Sequence, residues 1–206
     1  RIFNNLIGSR IVHKIRQQLS ARVGSNLELL IVGSAKADPE ALDFFHEILN
    51  IQTFEGYGAT ECAPLIATNH MKSRIAGTVG QPLINVRIVD NSGQEVACGN
   101  PAKNDYSSNG EIGELWASGP NVMHGYLNDP EETRRVLVEH DGLLWYKTGD
   151  LFSMDQQGFL TFKGRIGRQF KLRNGEFVNP EILERIFSRA PLVEHVLVFG
   201  GQERDF

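Results

Sequence analysis

The 206-residue sequence predicts an α/β fold: a parallel-type sheet with helices, a small β-rich subdomain packed against it, and the start of a small α+β unit. Three observations predict it. Leu27 to Val32 (Leu-Glu-Leu-Leu-Ile-Val) is a mostly apolar run of strand length, of the kind that parallel sheets cover on both faces. A helix start and a second strand, Ile51 to Phe54, come after it, and a small-residue turn stands behind each strand. From Ala76 onward short apolar segments alternate with Gly, Asn and Pro turns, which is a β-rich texture.

In chain order, Ile2, Phe3, Leu6, Ile7, Ile11, Val12, Ile15 and Leu19 recur at three- and four-residue spacing, predicting one amphipathic helix or two broken near Gly8-Ser9. After the first strand, Gly33-Ser34-Ala35-Lys36 leads to Asp38-Pro39-Glu40, an N-cap and first-turn proline for a helix through about Leu49. Strand, turn and helix then repeat through Ile51 to Phe54 and the Gly-rich stretch behind it. In a parallel sheet both turns would lie at the carboxyl edge, where α/β proteins bind ligands. Gly77 to Pro82 reads as a loop, Val86 to Val89 as a strand and Asn91-Ser92-Gly93 as a hairpin turn. Asn100 to Asn109 reads as a mobile polar loop, Glu114 to Ala117 as a strand and Asp129-Pro130 as another helix start. Leu144 to Phe152 and Phe159 to Phe162 flank an Asp155-Gln156-Gln157-Gly158 turn. Lys171 to Phe177 reads as a tight hairpin turning at Asn174-Gly175, Asn179-Pro180 opens a helix to about Arg189, and His195 to Phe199 reads as a final strand.

Bulk properties bound the chemistry. At 41% apolar residues the chain can bury a core, and a net charge of -4 gives no electrostatic argument for nucleic acid or an anionic membrane. Cys62 and Cys98 lack metal-ligand spacing and read as reduced, buried thiols, which fits a cytoplasmic protein. The six histidines are scattered and read as surface or packing residues. The amphipathic start at Arg1-Ile2-Phe3 and the uncapped end at Phe206 read as the interior of a longer chain.

The stretch Phe54-Glu55-Gly56-Tyr57-Gly58-Ala59-Thr60-Glu61 carries the chemical argument. Glycines let a ligand approach the backbone closely. Tyr57 offers a flat ring, Thr60 a hydroxyl and Glu61 a hard carboxylate of the kind that holds Mg2+ beside phosphates. Together they would suit a nucleotide; a strand with a Gly-rich turn into a helix would use the same glycines. Asp150, behind Gly149, is placed to accept two vicinal sugar hydroxyls or to stand as a turn aspartate. Arg165 and Arg168, set among glycines, suggest an anion-facing turn or an interdomain hinge.

In this order the segments resemble the adenylate-forming superfamily of acyl- and aryl-CoA synthetases, nonribosomal adenylation domains and luciferases. The matching pieces are Gly33-Ser34-Ala35, Gly56 to Glu61, Gly113-Glu114-Leu115-Trp116, Tyr146 to Leu151 and Gly164-Arg165. Within it the chain is most similar to the long-chain fatty acyl-CoA synthetase branch, through Phe44-Phe45-His46, Glu55 to Glu61 with Ala63-Pro64 behind, and Lys171 to Val178. Carboxylic acid reductase adenylation domains and acyl-carrier-protein ligases share some of the pattern.

The resemblance implies a two-step ligase reaction. A carboxylate, expected to be a fatty acid, attacks the α-phosphate of ATP to give acyl-AMP and pyrophosphate. A thiol, coenzyme A or a phosphopantetheine arm, then takes the acyl group. It implies that Gly33, Ser34 and Ala35 line the adenine and acyl pocket, that Tyr57 stacks on adenine, and that Thr60 bonds the α-phosphate. Glu61 would hold Mg2+, Asp150 the ribose and Arg165 the ribose or phosphate, with Gly56, Gly58 and Lys171 also in the binding set. It divides the chain into residues 1–163, the C-terminal portion of the large ATP- and acyl-binding domain, and 164–206, the hinge and first part of a small mobile domain. The expected partners are the acid, ATP, the thiol and the rest of its own chain. An adenylation domain serving a carrier protein or a carboxylic acid reductase, and a non-catalytic nucleotide-binding homologue, are the alternatives. The chain departs from the pattern in four ways: the Ser/Thr/Gly-rich phosphate loop is absent, the far C-terminal lysine is absent, Lys36 stands where proline is usual, and Gly167 stands where Asp or Lys is usual at the hinge.

Overall fold

The computed structural model describes residues 6–33, 39–168, 170–171 and 177–200. From Leu6 onward the first apolar stripe forms one helix, α1 (Leu6–Val23), while Ile2 and Phe3 lie outside the described residues. Gly8-Ser9 falls in its first turn, where the cost of a glycine is small, and does not break it. Arg16 on α1 donates from Nε to the Ile48 carbonyl at 2.7 Å, which ties α1 to the next helix. That helix, α2 (Pro39–Asp43), continues as a π-helical turn over Phe44–Ile48.

The two early strands pair in parallel as expected. β1 (Leu29–Val32) runs beside β2 (Gln52–Gly58), with Leu29 opposite Gln52 and Val32 opposite Glu55. Among the described residues one face of β1 is not covered: Leu29 and Ile31 are about half exposed. The Gly-rich stretch departs from the reading of a turn. Glu55 to Gly58 stay extended because β2 turns from its parallel partner to an antiparallel one, β3 (Leu65–Thr68). The turn falls later, over residues 59–64, and holds a single 3-10 turn at Thr60–Cys62 where a second helix was expected. β4 (Gln81–Pro82) completes a sheet of order β1-β2-β3-β4.

The β-rich part is the larger sheet. It contains β5 (Asn85–Val89), β6 (Glu95–Asn100), β7 (Asp105–Ser108), β8 (Gly113–Ser118), β9 (Leu137–His140), β10 (Leu143–Met154) and β11 (Leu160–Arg165). Its order is β11-β10-β8-β5-β6-β7, with β9 pairing to β10, and the pairings are antiparallel. The polar segment 100–109, expected as a loop, forms a 3-10 turn and β7, because its backbone pairs with β6 from Ala97–Ser108 to Asn100–Asp105. α3 (Pro130–Val136) starts as its sequence predicts, with Asp129 accepting the Glu132 N–H at 2.9 Å.

Ile66 and Ala67 of the first sheet pack with Val86, Ile88, Leu115, Ala117, Phe152, Met154 and Leu160 of the second in one buried cluster. The backbone joins the sheets as well: Val79 donates to the Leu160 carbonyl and Leu160 to that of Gly80, both at 2.9 Å. The two sheets therefore hold β2 and β10 in a fixed relation. Past β11, β12 (Phe170–Lys171) pairs antiparallel with β13 (Phe177–Val178), and the Asn174-Gly175 turn between them lies outside the described residues. α4 (Pro180–Phe187) follows. Residues 195–199 are not a strand: Leu197 and Phe199 are largely exposed, and no strand pairs with them among the described residues. Both cysteines are free thiols, Cys62 buried and Cys98 half-buried. No helix among the described residues is long and apolar enough to cross a membrane.

Candidate functional site

The site begins where β2 leaves its parallel partner. Gly33, at the end of β1, lies so close to Gly56 that a β-carbon on Gly33 would stand 3.3 Å from the Gly56 carbonyl oxygen. The end of β1 thus lies directly beside the second motif; Ser34, Ala35 and Lys36 lie outside the described residues. A β-carbon on Gly58 would sit 1.8 Å from the Pro64 carbonyl oxygen, so only glycine lets the two arms of the loop close. The closed loop is fastened by the Ala59 N–H on the Pro64 carbonyl at 2.8 Å. From β8's far end, Asn121 Nδ2 donates to the carbonyls of Cys62 at 2.6 Å and Leu65 at 3.2 Å. Met123 donates to the Glu61 carbonyl at 2.8 Å. Thr60 is exposed and Glu61 half-buried on this loop.

Four of the expected residues come together. The Tyr57 hydroxyl donates to Asp150 Oδ2 at 2.6 Å, across 93 residues of sequence. Arg165 Nε lies 3.7 Å from Asp150 Oδ1, because β11 pairs Arg165 directly with Asp150 on β10. Burial, with the Asp150 charge beside it, pushes the Tyr57 phenol far above its ordinary range, so it remains a donor at any physiological pH. The Tyr57 ring packs edge-on against Phe152, centroids 4.6 Å apart. Burial alone would raise the Glu61 carboxyl. Hydrogen bonds from Tyr126, its own backbone and Tyr146, with the charge of Arg165, outweigh that and hold it below the usual carboxylate range. Glu61 is therefore ionised and lies within the same electrostatic neighbourhood as Arg165.

Sequence reasoning missed the residues that hold these groups. Tyr126 donates to Glu61 Oε1 at 2.6 Å, and burial plus that carboxylate push its phenol up to about 12. Thr148 accepts the Asp150 N–H at 3.1 Å and donates to the Leu115 carbonyl at 2.8 Å. Glu114 accepts the Gly149 N–H at 3.1 Å. Tyr146, Thr148 and Glu114 lie in quoted motif runs, yet no spacing rule links a phenol to a carboxylate 65 residues away. Lys171 lies on β12 with its backbone paired to Phe177; its side chain lies outside what the structure describes.

Chemically, the assembly is a carboxylate already gripped on one oxygen by a phenol and flanked by a guanidinium, with a second ionised carboxylate nearby. A carboxylate offers about four lone-pair sites, so Asp150 keeps acceptor capacity beyond Tyr57. Among the described residues no three His, Cys, Asp or Glu side chains form a metal cage. A single charged carboxylate suits an ion that brings phosphate oxygens and water as its other ligands, and Glu61 fits Mg2+ on that ground.

Comparison with known proteins follows the same line. The family model described as AMP-binding enzyme matches residues 1–127. The chain is 35% identical over 208 residues to human long-chain-fatty-acid–CoA ligase 1, covering all of this chain and 27% of that one. It is 34% identical over 191 residues to long-chain-fatty-acid–CoA ligase 6 of Rattus norvegicus, covering 92% of this chain and 26% of that one. The chain thus spans about a quarter of the length of the curated relatives it matches. Among solved structures, the ATP-bound RpMatB-BxBclM chimera B3 superposes with a TM-score of 0.65 at 26% identity, covering 87% of this chain and 34% of that one. The anthranilate CoA ligase AuaEII in complex with anthranoyl-AMP shares the fold, with a TM-score of 0.63 at 22% identity over 82% of this chain and 30% of that one.

Proposed function

The chain belongs to the AMP-binding enzyme family, and from that premise we propose that the whole protein is an ATP-dependent acid–thiol ligase acting on fatty acids, with coenzyme A as acceptor. The observation that carries this reading is the meeting of Tyr57, Asp150 and Arg165 in one cluster with the ionised Glu61 beside it. The names of the relatives, both long-chain-fatty-acid–CoA ligases, support the acid and the acceptor.

The roles follow from what each group offers. The Tyr57 ring stacks on adenine while its hydroxyl steadies Asp150, and Asp150 accepts the ribose hydroxyls with its remaining lone pairs. Arg165 offsets negative charge at the ribose or phosphate. Thr60, exposed on the loop, donates to the α-phosphate. Glu61 would hold Mg2+, which when bound would draw charge off the phosphate oxygens. The fatty carboxylate forms a bond to the α-phosphorus and pyrophosphate leaves. The thiol sulfur then bonds to the acyl carbon, and AMP leaves. No protein nucleophile is needed; the residues supply position and electrostatic stabilisation. The division near residue 163 belongs to the same proposal. β11 runs across it to Arg165, so the hinge would begin at the turn holding Gly167, whose φ is +82°.

The test is Asp150→Ala in the full-length protein, assayed for carboxylate-dependent pyrophosphate release. The reading expects release to be abolished; unchanged release contradicts the ribose role.

A further inference from the structure

We propose that Glu114, on β8, is a positioning residue for the nucleotide sugar, acting through the Gly149 peptide that precedes Asp150. The inference rests on the reading of Asp150 as the ribose acceptor and extends it to a residue that touches no substrate.

The pairing of β10 with β8 shifts register between Lys147 and Leu151, so the segment that aims Asp150 is a bulge. Gly149 lies inside it at φ +72°, a left-handed conformation. A bulged peptide loses its ladder partners, and its polar groups must find others. Here each is met from a different element. The Gly149 N–H donates to Glu114 Oε1 at 3.1 Å. The Gly149 carbonyl accepts the Ile166 N–H at 2.8 Å, from the turn behind β11. Glu114 is itself fixed, since its Oε2 accepts the Trp116 Nε1–H at 2.9 Å. Lys147 Nζ lies 5.5 Å from the Trp116 ring centroid and holds that ring in place.

A relay of contacts therefore runs from Trp116 through Glu114 and Gly149 to Asp150. Remove the Glu114 carboxylate and the Gly149 N–H loses its acceptor within the bulge. The peptide is then free to rotate out of its left-handed geometry, and the Asp150 side chain changes aim. An ordinary structural glutamate would affect every nucleotide alike. A residue that aims Asp150 affects most the nucleotide whose sugar hydroxyls Asp150 grips.

The experiment measures carboxylate-dependent pyrophosphate release by the full-length protein with ATP and with 2′-deoxy-ATP, for wild type, E114A, E114Q, W116F and D150A, with a melting temperature for each. E114A is expected to narrow the preference for ATP about tenfold, the loss of one charge-assisted hydrogen bond. E114Q, which keeps an oxygen for the Gly149 N–H, should restore most of the preference. W116F, which frees only Oε2 and leaves the Gly149 N–H its acceptor, should narrow it about threefold, because only the orientation of the carboxylate loosens. Equal losses on both nucleotides in E114A, or an unchanged preference, overturn the inference. Should E114A fail to fold, W116F decides: a preference equal to wild type overturns it. D150A separates the two readings. If D150A abolishes release and E114A keeps the wild-type preference, the Glu114 role falls and the ribose reading stands. If D150A releases pyrophosphate with the wild-type preference, the ribose reading falls and takes the Glu114 role with it.

Discussion

At the scale of single residues, the same glycine-rich stretch does two things that its composition alone does not separate. Gly56 and Gly58 read in sequence as turn residues, but the backbone holds them extended, and their value is close approach to a neighbouring strand. Gly58→Ala would drive a methyl into the Pro64 carbonyl and is expected to cost ~3 kcal/mol of stability, as overpacking does, measured by denaturant unfolding. Tyr57 was legible as a ring; its hydroxyl's bond to Asp150 was not, because the two meet only once both sheets are assembled. Tyr57→Phe keeps the ring and removes that bond. Affinity for ATP should fall ~10-fold by calorimetry, as for one hydrogen bond to a charged group, with the fold intact. An affinity equal to wild type would show that Asp150 needs no phenol to hold it.

At the scale of elements, the loop over residues 59–64 owes its shape to a neighbour. Asn121 clamps the Cys62 and Leu65 carbonyls, and Met123 clamps that of Glu61. Asn121→Ala strips two half-buried carbonyls of their donor, and a loss of ~2 kcal/mol is expected in unfolding, with Glu61 displaced. Elements with strong local punctuation were legible. Asp129-Pro130 announced α3 and delivered its N-cap, and the apolar run at 27–32 announced β1. Elements defined by a partner were not. β7 is Asp-Tyr-Ser-Ser, with no apolar alternation, and is a strand only because β6 pairs with it. Conversely, the apolar residues at 195–199 have strand composition but no paired strand among the described residues.

At the scale of the molecule, the buried cluster between the sheets is what brings β2 and β10 together, and with them Tyr57, Glu61, Asp150 and Arg165. All four tyrosines contribute a pH dependence. Burial, first in each case, raises Tyr57, Tyr106, Tyr126 and Tyr146 above the ordinary value of 10.0. The unfolded chain releases phenol protons near pH 10 while the folded chain keeps them, so stability is full below about pH 10 and falls as pH climbs through that range. The denaturant midpoint of the 206-residue chain should hold to about pH 10 and drop as pH climbs from there toward about 12; a flat midpoint contradicts the burial of the phenols. The same chain, without the Ser/Thr/Gly-rich phosphate loop, is expected to form no adenylate from ATP on its own.

The central claim is that strand-end segments far apart in sequence converge on one adenosine. A crystal structure of the full-length protein with a non-hydrolysable acyl-adenylate analogue tests it most directly. The account predicts the adenine ring on Tyr57, the ribose hydroxyls on Asp150 and the phosphate mimic beside Thr60 and Glu61. An analogue bound with its ribose away from Asp150 and its base away from Tyr57 would contradict it.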